Sequence, residues 1–496
     1  MAETKGEHAM ATGSRTQRST GGRRRGATQQ IRAWQDDPIS GLDQIDRPIP
    51  DLRTGPLSLR IKGQAPPANV FDTGTKGFRY WTAAEALGRG IVFWGEVLPA
   101  GTTWQPGAPL QVGLDEGVDL NAYYSRAGLT FYHRDIQGQT FYSGESPDVL
   151  CHELGHGVLD AIRPELWDVM SGEAAAFHES FGDMSALLCA VQLQSVRQAT
   201  LLGANGNVYR SSALSRVAEQ LGWAIRQFRP DIPEADCLRN AVNSFFYEEP
   251  ESLPTSAPAS LLSSEPHSFA RVFTGGFFEA FAKMLITLAE EPNEDHLLQV
   301  SKDAGRLLAR AAADSPIVPD YYSQVAAHMI SADADLFGGR YRDALASAFV
   351  RRGILSIDSV SATAGLPAAA ANDTGARRAF AAAGMGAPAA EVSRIALSGE
   401  RYGLGNKPLF CAAPIETRRY QVAAAAPDLG TVQPRSAQLV ASSFVEELFR
   451  RGRVDITGQV DQRVGIVHPR AHTTHKLVEQ AGTVTLVRER FDCGLA

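Results

Sequence analysis

The chain is predicted to fold as an α+β protein, and three observations predict it. Short apolar runs at Pro109 to Leu114 and Gly128 to His133, broken by Gly and Asp, read as strands of a sheet. Two helices with their own capping residues follow, one opening at Ser146-Pro147 and one at Ser171, and a mostly helical pattern continues to about Leu355. The last hundred residues then combine an amphipathic helix with a strand-turn-strand unit. With 496 residues, 44% hydrophobic and 21% charged, the chain is long enough for two or three domains.

The first capped helix carries the pattern that organises the rest: Cys151-His152-Glu153-Leu154-Gly155-His156. Helix positions four apart lie about 40° from one another around the axis, so His152 and His156 can point their imidazoles at one ion. Glu153 then stands beside that ion without ligating it. Ser146 suits the N-cap, Pro147 the first helical position, and Arg163-Pro164 the end, while Leu150, Leu154, Val158 and Ile162 form an apolar face. Two such histidines are also compatible with satisfied core residues, so the following helix decides. From Ser171, Glu179 and Asp183 are four apart and share a face. Glu179 can be a third ligand while Asp183 accepts a hydrogen bond from the far nitrogen of a ligating histidine. Small residues at 174 to 176 let the two helices lie close.

The order His-Glu-x-x-His and then Glu-x-x-x-Asp resembles the thermolysin-like, or gluzincin, metallopeptidases. The resemblance implies a thermolysin-like catalytic fold: a β-rich first subdomain, zinc-site helices, and a helical second subdomain. His152, His156 and Glu179 take the zinc-ligand positions, Glu153 that of the general base, and Asp183 that of the carboxylate orienting the first histidine. Asp160, four residues after His156, also matches. One catalytic Zn²⁺ is implied. No acidic cluster after Glu179 matches the family's calcium sites, so the sequence does not support calcium.

The remaining segments follow in order. Residues 1–30 hold six Lys or Arg against two Asp or Glu and almost no large apolar residue, and are expected to form a disordered basic tail. The body is acidic, which argues against nucleic acid as a partner; Gly21 to Gly26 encloses three Arg but no apolar region follows, so an export signal is not expected. No stretch reaches transmembrane length. Five cysteines at 151, 189, 237, 411 and 493, without paired spacing, point with the missing signal peptide to the cytoplasm. Cys151 is expected to be a buried small hydrophobe.

Residues 31–79 are expected to wrap a surface, and Trp81-Thr82-Ala83-Ala84-Glu85 to be the capping box that opens a helix toward Trp94 despite Gly88 and Gly90. Asn121-Ala122 resembles the edge-strand pair with which thermolysin-like enzymes hold a substrate backbone, to which an extended peptide adds as a strand. Arg239, with Tyr247 and Pro250 at the family's offsets, is expected to bond a substrate carbonyl, an internal ion pair being the other reading. Around Glu265-Pro266-His267 the sequence is closer to the fungalysin type. His267 is there the candidate donor to the developing oxyanion, with Glu265 orienting it.

The metallopeptidase resemblance covers residues 80–356. Residues 357–400 read as an Ala- and Gly-rich connection, and 401–496 as a small α+β domain of unknown role. In that domain a strand at Arg418 to Ala424, a helix from Ser436 to Arg451 and a hairpin turned at Ala481-Gly482 are expected. His468, His472 and His475 read as loop histidines.

These features imply a zinc endopeptidase acting on peptides or proteins. The Gly-x-Met-Glu-Asn element of gluzincin aminopeptidases is absent. The alternative is an inactive, zinc-stabilised scaffold on the same fold, and Glu153 argues against it, because a structural site has no need of that carboxylate. Two departures stand out. Trp167 occupies the family's Tyr position, and only about seventy residues precede the first expected helix, fewer than the signal and pro-segment of secreted relatives.

Overall fold

The computed structural model describes residues 29–204, 207–364, 392–416, 435–456 and 473–493. The basic tail, the strand expected at Arg418 to Ala424, and His468 and His472 lie outside them. The architecture is mixed α+β, as expected.

The first sheet has the order β3-β4-β6-β5-β16. Its members are β3 (Leu59–Ile61), β4 (Leu110–Gly113), β5 (Ala122–Ser125), β6 (Gly128–Phe131) and β16 (Phe491–Asp492). The first three neighbours pair in parallel; β5 is antiparallel to β6, and β16 antiparallel to β5. The last strand comes from the far end of the described chain and closes the edge that β5 would otherwise expose. Two hairpins flank this sheet: β1 (Gln30–Trp34) with β2 (Gln44–Pro48), and β7 (His133–Ile136) with β8 (Gln139–Tyr142).

Residues 31–79 do more than wrap. The Trp34 N–H donates to Thr82 Oγ1, β3 joins the sheet, and α1 (Lys76–Val97) begins inside this segment. The cap of α1 is Thr75, whose hydroxyl accepts from the Phe78 N–H; the Trp81–Glu85 box therefore lies inside the helix, on its buried side. Gly90 is explained by packing. A Cβ there would stand 2.5 Å from the Leu154 side chain of the next helix, α2 (Pro147–Ile162).

Helix α2 is capped by Ser146, opens with Pro147 and stops at Arg163, as the sequence predicts. Helix α3 (Gly172–Ala190) is capped by Ser171 and is buried along its whole length. Then come α4 (Gln194–Ala204), the short pair β9 (Arg216–Val217) and β10 (Arg239–Asn240), and α5 (Glu219–Arg226). The helical part comprises α6 (Pro266–Leu288), α7 (Glu294–Asp314), α8 (Tyr321–Phe337), α9 (Arg342–Arg351) and α10 (Ile357–Ala364).

The chain enters its second sheet at β11 (Ser393–Leu397), inside the stretch expected to be a connection. This sheet has the order β11-β12-β15-β14-β13, with β12 at Leu409–Ala413, β13 at Val454–Asp455, β14 at His475–Gln480 and β15 at Thr483–Arg488. Ala481 and Gly482 turn the β14–β15 hairpin with positive φ. Helix α11 (Ala437–Arg450) packs on the sheet around a separate small core with Leu409, Cys411, Val445 and Leu486. His475 is buried within β14 rather than placed in a loop.

Polar anchors hold this unit against the helices. Arg435 pairs with Glu173, Glu251 at 2.7 Å and Asp320 at 3.0 Å. The Met170 N–H donates to the Ala412 carbonyl at 2.8 Å.

A second polar cluster escapes a search confined to residues after Glu179, because most of it comes from before. Asp36 and Asp37 meet Asp148 at the start of α2 and Glu219 at the start of α5, all buried. Ligand oxygens of Asp37, Asp148 and Glu219 lie within 4.8 Å of one another. Backbone N–H groups of Ala218 and Gln220 and the Ser146 hydroxyl donate into the group. Arg216 pairs with Glu219 at 3.1 Å. Burial nonetheless dominates, raising Asp37 to about 7 and Glu219 to about 9. A carboxyl that stays protonated in the fold and ionises on unfolding makes the native state the greater proton binder. Stability therefore falls as pH rises from the ordinary carboxylate range through those values. In chelator-treated protein, Glu219→Gln is expected to be stabilised by about 1–3 kcal/mol at about pH 8 and nearly unchanged at about pH 5. Denaturant titrations at the two pH values check this; equal effects at both would contradict it.

Candidate metal centre

Helices α2 and α3 cross so closely that glycine is required at the contact. A Cβ on Gly155 would stand 2.7 Å from the Ser185 Cβ, and one on Gly182 only 2.6 Å from His152 Cε1. The Ser185 hydroxyl donates to the Cys151 carbonyl at 2.8 Å and accepts from the Trp94 indole at 3.0 Å, which pins the crossing to α1.

At this crossing, ligand atoms of His152, His156 and Glu179 converge within 4.8 Å. His152 Nε2 is 3.4 Å and His156 Nε2 3.8 Å from Glu179 Oε2. Four ligands about 2.0–2.2 Å from a tetrahedral zinc stand roughly 3.3 Å from one another, so small adjustments seat an ion. His152 Nε2, His156 Nε2 and Glu179 Oε2 are all buried and make no well-formed hydrogen bond. Three buried polar atoms left open toward one point are costly unless a cation takes them. Two imidazoles and one carboxylate form a donor set that suits zinc.

The supporting side chains fix the proton on His152. Asp183 Oδ1 lies 3.0 Å from His152 Nδ1 and can only accept, so Nδ1 carries the hydrogen and Nε2 offers its lone pair. Arg239 holds Asp183 through Nη2 at 2.6 Å and Nε at 2.9 Å. Burial opposes ionisation of Asp183, but Arg239 and His152 outweigh it and bring it to about 2. Burial likewise opposes charge on His152, yet Asp183 and Glu179 raise it to about 9, so that a metal ion binds by displacing the Nε2 proton. His156 has no such carboxylate partner behind it, and burial lowers it to about 3.

Glu153 lies beside His152 and Cys493 with both oxygens buried, and burial raises it to about 7. His267 stands in the first turn of α6; its Nδ1 is 2.7 Å from Glu265 Oε1, and its Nε2 is 3.1 Å from Glu179 Oε2. The structure therefore brings together His152, His156, Glu179, Glu153, Asp183 and His267. Asn121 precedes β5, which starts at Ala122 and, instead of forming a free edge, is paired on both sides by β6 and β16; the Asn121 Oδ1 is buried without a partner. Arg239 is buried and committed to Asp183, which is the internal ion pair of the other reading rather than a contact to a substrate carbonyl. Asp160 anchors α2 to the sheet, accepting from Tyr124 Oη at 2.8 Å and Arg126 Nη2 at 2.7 Å.

Three residues at the site went unread in the sequence. His178 is buried beside His156, their rings 5.8 Å apart. Phe491 stacks on His178 at 3.9 Å and on His156 at 5.1 Å. Cys493, grouped with the other cysteines as unpaired, has its thiol against Glu153. Strong sequence separation hid both of the last two. Trp167, at the family's Tyr position, donates its indole N–H to the Arg488 carbonyl at 3.2 Å and packs edge-on against Phe491, so it serves this segment. Cys151 is buried on the far side, its Sγ 3.6 Å from the Ala86 carbonyl, as a small core residue.

No protein-family model matches the chain, and no curated protein matches it. A solved structure described as the precursor of protealysin, a metalloproteinase from Serratia proteamaculans, matches with a TM-score of 0.41 and 16% identity. The match covers 66% of this chain and 87% of that one. Among the described residues no helix is long and apolar enough to cross a membrane.

Gly182→Ala tests whether the helix crossing sets the site. The added methyl displaces the His152 ring, so zinc affinity measured against a competing chelator is expected to fall about 10–100-fold with the fold retained. Unchanged affinity would contradict the role given to the close approach.

Proposed function

We propose that the chain is a zinc metalloendopeptidase whose ion is held by His152, His156 and Glu179. The observation that carries this reading is the convergence of buried ligand atoms of two histidines and a carboxylate within 4.8 Å, with Glu153 beside His152 and with Asp183 and Arg239 behind it. Bound zinc supplies Lewis acidity and lowers the pKa of a coordinated water.

The chain's own residues do the rest. Glu153, in a dry pocket with no competing donor of its own structure except the Cys493 thiol, accepts the proton of the attacking water and returns it to the leaving nitrogen. His267, aligned by Glu265, donates from Nε2 to the oxygen that gains charge as the carbonyl carbon becomes tetrahedral. Asp183 keeps His152 in the required tautomer, and Arg239 keeps Asp183 ionised. Asn121 and Ala122 belong to the strand to which an extended peptide backbone would pair in place of β16, which favours a peptide or protein as substrate.

Zinc content and cleavage of a quenched-fluorescent peptide library, measured on the full chain and on Glu153→Gln, test the reading. The variant is expected to keep one zinc per chain and to lose about 10²–10⁴-fold in cleavage rate. A protein that binds no zinc, or a Gln variant that cleaves as fast as its parent, would contradict it.

A further inference from the structure

Resting on the metallopeptidase reading, we propose that Cys493 is a fourth ligand of the same ion and that Phe491–Cys493 occupy the substrate-strand position, so that the chain holds its own site closed.

The edge of β5 is already paired. Phe491 lies opposite Tyr124, Asp492 opposite Tyr123, and the Cys493 N–H donates to the Ala122 carbonyl at 2.9 Å. A peptide adding to this edge meets a strand from its own protein. The donor assigned to the oxyanion is engaged as well, since His267 Nε2 lies 2.7 Å from the Asp492 carbonyl oxygen. That carbonyl stands where a substrate carbonyl is required.

The thiol lies beside one of the three ligands. One ligand atom each from His152, Glu153 and Cys493 lies within 4.8 Å of the others. A buried cysteine alone is no ligand, but this one is grouped with His152, which also belongs to the set formed with His156 and Glu179, and the Nε2 atoms of His152 and His156 are buried without hydrogen-bond partners. A catalytic zinc keeps one position open for water, whereas two imidazoles, a carboxylate and a thiolate form a closed four-coordinate set. Ligation exchanges the S–H bond for an S–metal bond, the proton leaving to solvent, and needs no oxidant or reductant.

The strand is held firmly. Phe491 fills the space between His178, His156 and Trp167, and Asp492 Oδ1 accepts from Arg453 Nη2 at 2.8 Å. Phe491 and Cys493 belong to the main core, whereas β14 and β15 contribute to the separate core of the second sheet. The segment is therefore built into the metal-binding body, while the sheet that carries it folds around its own interior. Withdrawal of three residues would open both the sheet edge and the fourth coordination position.

Cobalt(II) replacing zinc in the full chain and in Cys493→Ser tests the assignment without reliance on turnover. One cobalt per chain is expected in both, with a sulfur-to-cobalt charge-transfer absorption in the wild type that the Ser variant lacks. In the zinc forms, freeing the fourth coordination position for water is expected to speed cleavage of the peptide library by at least about tenfold. A wild-type cobalt spectrum without that absorption overturns the ligand assignment even if the variant misfolds. Equal cleavage by both proteins overturns the closure and leaves the peptidase reading standing. If the absorption is present and lost in a variant that cleaves nothing, the ligand assignment holds and the peptidase reading falls.

Discussion

The approach of α2 to α3 at Gly155 and Gly182 is the constraint on which the site depends. It lets the His152 ring lie against the backbone of the neighbouring helix, and it sets Glu179 and Asp183 on the two sides of that ring. With any larger residue at position 182 the ring would have to move, and with it the tautomer control that Asp183 exerts. Burial then magnifies each electrostatic term. Asp183 is ionised in the interior because Arg239 touches it, and His152 takes its orientation from Asp183. The chain Arg239, Asp183, His152 carries order from a short β-pair into the ligand set.

The same interior holds carboxylates without a full complement of cations. Asp36, Asp37, Asp148 and Glu219 are brought together by a hairpin segment, the start of α2 and the start of α5. Their proton affinity is an outcome of burial that outruns the available donors. Arg435 shows the opposite balance. One buried guanidinium serves Glu173, Glu251 and Asp320, and so fastens the second sheet to the helical body.

Local signals in the sequence were legible where structure is local. Ser146, Pro147 and Ser171 mark the helix starts they occupy, and the i, i+4 spacing of His152 with His156 and of Glu179 with Asp183 places each pair on one face. The start of α1 was misread because Thr75 caps it within a Pro- and Gly-rich stretch, while the box at Trp81 has suitable spacing but sits in the helix interior. What the sequence hid is long-range. Asp36 and Asp37 gain meaning only beside Asp148, and Phe491 and Cys493 only beside β5, several hundred residues earlier. A two-residue strand carries no periodicity to read, and a single cysteine offers no spacing.

Zinc K-edge X-ray absorption on the purified full chain tests the central claim, that the α2–α3 crossing and the 491–493 strand together build one metal centre. The account predicts one zinc with outer-shell scattering from imidazole and a single sulfur at about 2.3 Å. A shell of oxygen alone, or a zinc signal unaltered by His156→Ala, would contradict it.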